Sequence, residues 1–117
     1  MTHDPEKVII VEGLTDKKQI KRVINDQVEI ICTNGTLGVE RLDELLETYD
    51  LDNRDVYILV DEDNSGLKLR KQLAKELPHA EHIHVSSEYR EVATTPENVL
   101  ATALIGKRIE VNPLFLL

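Results

Sequence analysis

Short apolar runs alternate along the chain with stretches whose apolar residues recur at helical spacing. The runs are continuously apolar and rich in β-branched residues, which is typical of strands buried on both faces of a parallel sheet. The pattern predicts four strands, Val8–Val11, Val28–Cys32, Val56–Val60 and His82–Val85. Strands that alternate with helices indicate an α/β protein with right-handed crossovers and helices on both faces of the sheet.

Four helices are predicted between and after these strands. The first has Thr15 as its N-cap. The second extends from Gly38 to Tyr49, with an apolar stripe of Val39, Leu42, Leu46 and Tyr49. The third ends at Pro78, because proline cannot continue a helix. The fourth has Thr95 as its N-cap and ends at Gly106, a residue type common at helix C-termini.

The composition adds limits to this picture. The 117 residues carry 22 Asp and Glu against 14 Lys and Arg, and we predict one globular domain over residues 1–117. Cys32 is the only cysteine, which excludes a disulfide scaffold. The first five residues lack the features of a signal peptide, and no apolar run approaches the ~18 residues of a membrane span. We therefore expect a cytoplasmic protein without a membrane partner.

The net charge of −8 argues against a protein that coats nucleic acid electrostatically, because such affinity comes from Lys and Arg. The charges are unevenly distributed, however. Acids gather on the second helix and its flanks, whereas lysines gather on the first and third helices. Lys17 and Lys21 on the first helix and Lys68 on the third are candidate contacts for a phosphate backbone, so the sum hides a polarised surface.

Acidic residues follow two of the predicted strands. Glu12 follows the first strand, and Asp61 and Asp63 follow the third, with their side chains on one side. If these strands are neighbours, they lie about 4.8 Å apart, and the acids meet where open α/β sheets bind ligands. Three adjacent carboxylates repel one another unless a cation lies between them. Mg²⁺ fits best, because it takes hard oxygen ligands together with substrate phosphates.

The same strand ends carry residues suited to phosphate. Gly13 lets a phosphate approach the backbone closely. The pairs Asn34-Gly35 and Ser65-Gly66 present N–H groups that form anion-binding nests. An Asp-x-Asp after a strand is also frequently a polar turn with a helix cap, and that alternative stays open for the motif taken alone.

Three motifs together resemble the Toprim domain: Val11-Glu12-Gly13 with Asp16 shortly after it, Thr33-Asn34-Gly35, and Asp61-Glu62-Asp63-Asn64-Ser65-Gly66 followed by Arg70. This domain is shared by topoisomerases, bacterial primases, overcoming-lysogenization-type nucleases and the small ribonuclease that matures 5S ribosomal RNA. The pattern is most similar to that of the ribonuclease. The resemblance covers nearly the whole chain and implies a Rossmann-like three-layer α/β/α fold with a four-stranded, mainly parallel sheet.

The resemblance also implies roles for residues. Glu12 matches the family's acid/base glutamate, and Asp61 and Asp63 match the aspartates that coordinate Mg²⁺. Lys68 or Arg70, at the start of the third helix, would steady the charge that develops on a phosphate. The implied activity is Mg²⁺-dependent phosphodiester hydrolysis or transfer on nucleic acid, in RNA processing or in DNA repair and metabolism.

Two features depart from the ribonuclease group. The residue after Glu-Gly is often basic there and is Leu14 here, and the ribonuclease has a further C-terminal region that engages its substrate. We therefore expect weak unaided binding of nucleic acid, with RNA favoured over DNA, and dependence on Mg²⁺ or a protein partner. The apolar tail, residues 112–117, is expected to dock on its own domain, with a homodimer contact as the alternative.

Two other functions remain open. A Toprim-type module that binds Mg²⁺ and nucleic acid or protein without turnover uses the same residues. A receiver-like signalling domain is disfavoured, because receivers need adjacent acids after the first strand, where this chain has Glu12-Gly13. His82 and His84 share a strand face, but no Cys or third His accompanies them, so a solvated face is expected there rather than a metal site.

Overall fold

A four-stranded parallel sheet forms the centre of the computed structural model, which describes residues 6–35, 37–86 and 88–117. The residues compared with a signal peptide, 1–5, lie outside this part. The strands are β1 (Lys7–Val11), β2 (Val28–Cys32), β3 (Asp55–Leu59) and β4 (Glu81–Ile83). Their order in the sheet is β2-β1-β3-β4, and β1 pairs with both β2 and β3. The first and third strands are thus neighbours, the arrangement on which the meeting of Glu12 with the two aspartates depends.

Helices cover both faces of this sheet, which confirms the predicted three-layer α/β/α architecture. The α-helices are α1 (Leu14–Val23), α2 (Val39–Thr48), α3 (Asn64–Glu76) and α4 (Glu97–Ile105). The first and fourth contribute to the core on one face, and the second and third to the core on the other. Two short 3-10 helices follow α2 and α4, at Leu51–Asn53 and Pro113–Leu116.

Strand β1 contributes side chains to both apolar cores, because successive side chains of a strand point to opposite faces. Ile9 and Val11 pack with α1 and α4, whereas Val8 and Ile10 pack with α2 and α3. All four side chains are fully buried. Burial of an aliphatic side chain of this size stabilises a fold by roughly 1.5–3 kcal/mol. The strand that leads into Glu12 is therefore among the most firmly held parts of the molecule.

The start of α1 differs from the prediction. The helix begins at Leu14 and its N-cap is Gly13, so Thr15 as the N-cap is wrong. The reason is a hydrogen bond at the helix start, in which the Gly13 N–H donates to Oδ2 of Asp16 at 3.0 Å. An acid at the third helical position that binds the N–H of the cap residue is a recognised start signal. The helix therefore begins two residues earlier in the chain than predicted, directly after Gly13.

Two further details differ. Val39, predicted on the apolar stripe of the second helix, is 76% exposed because it lies at the first residue of α2. Thr95 does not cap α4, whose N-cap is Pro96. The Thr95 hydroxyl instead donates to the carbonyl of Glu91 at 2.6 Å. The end of α4 at Gly106 is confirmed.

The C-terminal tail docks on its own chain, as expected. The Asn112 N–H donates to the Val23 carbonyl at 2.8 Å, and Phe115 packs against the core of the α1/α4 face. The other apolar residues of the tail are exposed, namely Leu114, Leu116 and Leu117.

Arg70 ties α3 to the two adjacent strands β3 and β4. Its guanidinium donates to the carbonyls of Ile58 at 3.2 Å and Ile83 at 2.9 Å. It also lies 3.0 Å from Nδ1 of His82. Because arginine is only a donor, this ring nitrogen must be the acceptor, so the His82 imidazole is neutral and carries its proton on Nε2.

This contact predicts a loss of stability in acid. Burial, followed by the charges of Arg70, His84 and Lys107, lowers the pKa of His82 from 6.5. The unfolded chain then binds the proton more readily, so this stabilisation is complete above about pH 6.5 and disappears as the pH falls through the lowered pKa. We expect the thermal midpoint of His82→Gln, which keeps an acceptor for Arg70, to fall less than that of the wild type between about pH 7 and pH 5. Thermal unfolding followed by circular dichroism measures the midpoints. An equal decrease of the midpoint with falling pH in the variant and the wild type would contradict this.

Candidate metal centre

The carboxylates of Glu12, Asp61 and Asp63 meet at the carboxyl ends of β1 and β3. One oxygen from each lies within 4.8 Å of the other two. Parallel pairing brings the two strand ends side by side, where Glu12 directly follows β1 and Asp61 follows β3 after Val60. The structure thus brings together the three acids that the sequence singles out, and such a cluster can hold a metal ion.

Each of these carboxylates is held at one oxygen by a main-chain N–H. Asp61 N–H is 3.4 Å from Oε1 of Glu12, and Gly66 N–H is 2.7 Å from Oδ1 of Asp63. Val92 N–H donates to Oδ1 of Asp61 at 2.8 Å. A carboxylate fixed in this way has a set orientation and retains its second oxygen for a ligand. The cluster is therefore organised before any cation binds.

The electrostatics of the cluster favour a cation. Burial, with the negative charges of Asp61 and Asp63, raises the pKa of Glu12. Burial also raises the pKa of Asp61, although the Val92 N–H opposes this shift. A positive ion between the carboxylates would relieve both causes, since it offsets the lost solvation and the mutual repulsion.

Gly66 allows α3 to begin close to the end of β3. A Cβ atom at this position would lie 1.9 Å from the carbonyl oxygen of Asp61 and 2.8 Å from its carbonyl carbon. No side chain fits at that distance from a backbone. Glycine at the start of α3 is therefore required for Asp61 and Asp63 to take their positions.

Asp16 is a fourth carboxylate near the cluster, and the sequence analysis did not assign it to the site. It is 5% exposed, accepts from the Gly13 N–H, and has its charged form further stabilised by the Ala93 amide. Burial, the largest cause, nevertheless raises its pKa, and the charge of Asp61 acts in the same direction. The Glu-Gly-x-x-Asp spacing at a helix start was the signal that could have identified it.

The segment of residues 89–95, here named the strap, lies against the end of β3. The Glu62 N–H donates to the Arg90 carbonyl at 2.6 Å, two residues before the amide that binds Asp61. Arg90 adopts a left-handed backbone with φ of 59°. Sequence reasoning missed this contribution, because a loop without apolar periodicity does not reveal which distant groups its amides meet.

The predicted phosphate-binding turn follows β2 and touches β1. Asn34 has φ of 59° and Gly35 has φ of 108°, both in the left-handed region. The Asn34 N–H donates to the Glu12 carbonyl at 2.6 Å, and the Gly13 N–H is engaged by Asp16. These two N–H groups therefore support the acidic cluster, and they are already occupied by acceptors of the protein itself.

The predicted cationic contacts lie on both sides of the cluster. Lys17 and Lys21 of α1 are close enough to Cys32 to oppose the rise in its thiol pKa that burial causes. They therefore lie on the side of the site that faces β2. Ser65 and Lys68 are exposed in the first turns of α3, on the other face of the sheet.

Arg70 lies elsewhere than the sequence analysis placed it. Its side chain is 9% exposed, and beside its main-chain contacts it forms an ion pair with Glu62 at 3.5 Å. Glu62 also pairs with His84 at 2.9 Å. The guanidinium is thus occupied by β3, β4 and Glu62. Over residues 6–35, 37–86 and 88–117, the only cluster of three potential metal ligands is that of Glu12, Asp61 and Asp63, which leaves the histidine pair outside it.

Comparison with known proteins agrees with this geometry. The Toprim domain model matches residues 7–88. The chain is 50% identical over 111 residues to the uncharacterized protein YusF of Bacillus subtilis, which covers 95% of this chain and 75% of that protein. It is 35% identical over 78 residues to ribonuclease M5 1 of Ligilactobacillus salivarius, and 31% identical over 81 residues to ribonuclease M5 of Fusobacterium nucleatum. These matches cover 66% and 69% of this chain, but only 40% and 43% of the two ribonucleases.

A solved structure shares the whole architecture. It is that of a small TOPRIM domain protein from Bacillus stearothermophilus, which is 44% identical and superposes with a TM-score of 0.90, covering 98% of this chain and 96% of that one. In the part of this chain that the structure describes, no helix has the length and apolar character needed to cross a membrane. The resemblance inferred from the three motifs is confirmed, and the chain belongs to the Toprim domain family.

Proposed function

We propose that this protein is a metal-dependent nuclease that hydrolyses or transfers phosphodiester bonds of nucleic acid. The observation that carries the proposal is the group of three carboxylates, each held at one oxygen by a main-chain N–H. The ribonuclease M5 relatives support it, although this chain spans only about two fifths of their length. Activity and substrate are therefore proposed for the domain, and not transferred from those proteins.

The donor set fits Mg²⁺. The cluster offers carboxylate oxygens alone, and Mg²⁺ prefers hard oxygen ligands, a few of them from protein and the rest from water and phosphate. Asp61 and Asp63 would hold the ion, with Glu12 beside them. When bound, the ion would neutralise negative charge on the phosphate and on the oxygen that attacks or leaves.

Glu12 is proposed to move the proton. Because Asp61 and Asp63 are the proposed ligands of the ion, the Glu12 carboxylate beside them is available for proton exchange. In this role, Glu12 accepts the proton of the attacking hydroxyl or donates one to the leaving oxygen. The N–H of Asp61 holds Oε1, which leaves Oε2 for this exchange.

Cationic and polar groups on both sides of the cluster are proposed to bind the nucleic acid. Lys17 and Lys21 approach it from α1, and Lys68 and Ser65 from α3. A backbone that lies across the carboxyl edge of the sheet contacts both groups and passes the turn at Asn34-Gly35. Gly13 and Gly66 carry no side chains, and we propose that a phosphate approaches the main chain of the protein closely at these two positions. Arg70 contributes from the interior, where it orients Glu62 next to the two aspartates.

The remaining parts of the proposal concern partners. With a net charge of −8, unaided affinity for nucleic acid is weak, and we propose that RNA is preferred and that a protein partner or a second copy assists. The exposed residues Leu114 and Leu116 of the tail are the surface proposed for a homodimer. We propose a single Toprim domain that acts in the cytoplasm.

Asp61→Asn tests the site. The amide keeps an oxygen for the Val92 N–H but loses the charge, so we expect Mn²⁺ binding and cleavage to fall by about 10²-fold or more. The raised pKa of Asp61 means that its charge destabilises the folded state as the pH rises above 3.8. The metal-free variant should therefore unfold at a higher temperature than the metal-free wild type.

The assay offers structured RNA, nicked DNA and supercoiled DNA with Mg²⁺, and thermal unfolding is followed with and without the ion. Asp43→Asn, an exposed acid of α2, removes the same charge away from the site and serves as the control. Cleavage that persists in Asp61→Asn would rule out the proposed centre. A wild type that binds Mn²⁺ and nucleic acid without cutting would instead support a binding module.

A further inference from the structure

Thr95 carries a buried hydroxyl that its position at a helix start does not explain. The residue is 0% exposed, and α4 takes Pro96 as its N-cap, so the hydroxyl does not satisfy an N–H of the helix. Instead it donates backwards, to the carbonyl of Glu91 at 2.6 Å. The hydroxyl therefore binds another residue of the strap, to which Thr95 itself belongs.

The carbonyl of Glu91 and the N–H of Val92 belong to the same peptide group. That N–H donates to Oδ1 of Asp61 at 2.8 Å. A peptide group is planar and rigid, so a donor that holds the carbonyl also sets the direction of the N–H. The Thr95 hydroxyl and the Asp61 carboxylate thus bind the two ends of one rigid unit.

Thr95 is itself held by contacts that do not involve the acidic cluster. Its carbonyl accepts from Nε2 of Gln19 at 2.8 Å, which fastens it to α1. Its N–H donates to the Val92 carbonyl at 3.2 Å, which closes the turn of the strap. The hydroxyl is therefore held in place by α1 and by the turn, independently of the acidic cluster.

We propose that Thr95 is a positioning residue for Asp61, acting through the Glu91–Val92 peptide group, with Gln19 holding Thr95 in place. This inference rests on the proposed function in one respect, namely that Asp61 binds the metal ion. With Oδ1 held by the Val92 N–H, the second oxygen of Asp61 is left for the metal ion. Without the hydroxyl, the peptide group can rotate and the carboxylate loses its set orientation.

A pair of variants separates the hydroxyl from the shape of the side chain. Thr95→Val keeps the shape and removes the donor, whereas Thr95→Ser keeps the donor. In titrations with Mn²⁺ alone, we expect Thr95→Val to bind about tenfold more weakly, as is usual when a group that orients a ligand is removed. Thr95→Ser should bind like the wild type. Thr94→Val is the matched control, because that exposed hydroxyl is 3.5 Å from the same carbonyl.

A second measurement needs no metal. Hydrogen exchange of the Val92 amide, followed by NMR, should be about tenfold faster in Thr95→Val, while the amide of Ile9 in the core exchanges at the wild-type rate. Gln19→Met removes the donor to the Thr95 carbonyl at a partly exposed position. It should also weaken Mn²⁺ binding and speed the exchange of the Val92 amide, and it tests the inference if Thr95→Val does not fold.

The outcomes separate this inference from the proposed function. If Thr95→Val leaves both Mn²⁺ affinity and Val92 exchange unchanged, the inference is overturned. If wild-type protein binds no Mn²⁺, the proposed function fails, and Val92 exchange still decides whether Thr95 holds the peptide group. If Thr95→Ser is as impaired as Thr95→Val, the hydroxyl is not the responsible group and the inference is again overturned.

Discussion

Replacement of Glu12 by Gln is expected to slow cleavage of nucleic acid by about 10²- to 10⁴-fold, the range that a general acid or base contributes. Gln keeps the size of the side chain and an oxygen for the Asp61 N–H, but it cannot exchange a proton at neutral pH. Asp61 and Asp63 remain to hold the ion. Mn²⁺ affinity should therefore decrease much less than the cleavage rate.

Single-turnover cleavage and Mn²⁺ titration on the same preparation separate these two effects. Glu40→Gln, in the exposed first turn of α2, removes an equal charge at a distance from the site and should leave both values unchanged. Equal losses of rate and of affinity in Glu12→Gln would show that this residue acts as a metal ligand only, and the proton-transfer role would be wrong.

Gly66→Ala is expected to destabilise the protein by about 3 kcal/mol, at the upper end of the range for overpacked positions. The new Cβ would lie 1.9 Å from the carbonyl oxygen of Asp61, so either α3 or the end of β3 must move. The same movement displaces Asp61 and breaks the bond from Gly66 N–H to Asp63. Metal binding should therefore be lost even under conditions in which the variant is folded.

Urea unfolding measures the stability, and Mn²⁺ titration below the transition measures the site. Gly106→Ala is the matched control, because Gly106 has a helical φ of −62° and a Cβ there meets its nearest atoms at 3.5 Å, an ordinary contact. Its free energy of unfolding should change by no more than about 1 kcal/mol. Gly66→Ala with wild-type stability would show that α3 does not begin where the structure places it.

The fold and the acidic cluster were predictable from sequence for the same reason. Strands buried on both faces leave long apolar runs, and the first polar residues after such runs, Glu12 and Asp61, mark the carboxyl edge of the sheet. The apolar pattern does not give the order of the strands, and the pairing of β1 with β3 in the structure is what places these residues together. Family resemblance added the roles of the residues.

The supports of the cluster were not predictable, because each is a single contact between distant parts of the chain. Thr95 has the sequence context of a helix cap, and only the folded structure offers its hydroxyl the Glu91 carbonyl instead. Arg70 follows a buried leucine in a helix with many charges, and its burial depends on free carbonyls at Ile58 and Ile83. Local patterns report which face is apolar, but not which polar group finds a partner inside.

The candidate centre draws on three stretches of chain, at Glu12, at residues 61–63 and in the strap, and this has a consequence for folding kinetics. The two acid-bearing stretches become neighbours only when β1 and β3 pair, and non-local parallel pairing is a slow step in folding. A partly folded chain therefore has no site to offer an ion. A bound cation would stabilise the native state by mass action and would lengthen its lifetime against unfolding, while leaving the rate of folding nearly unchanged.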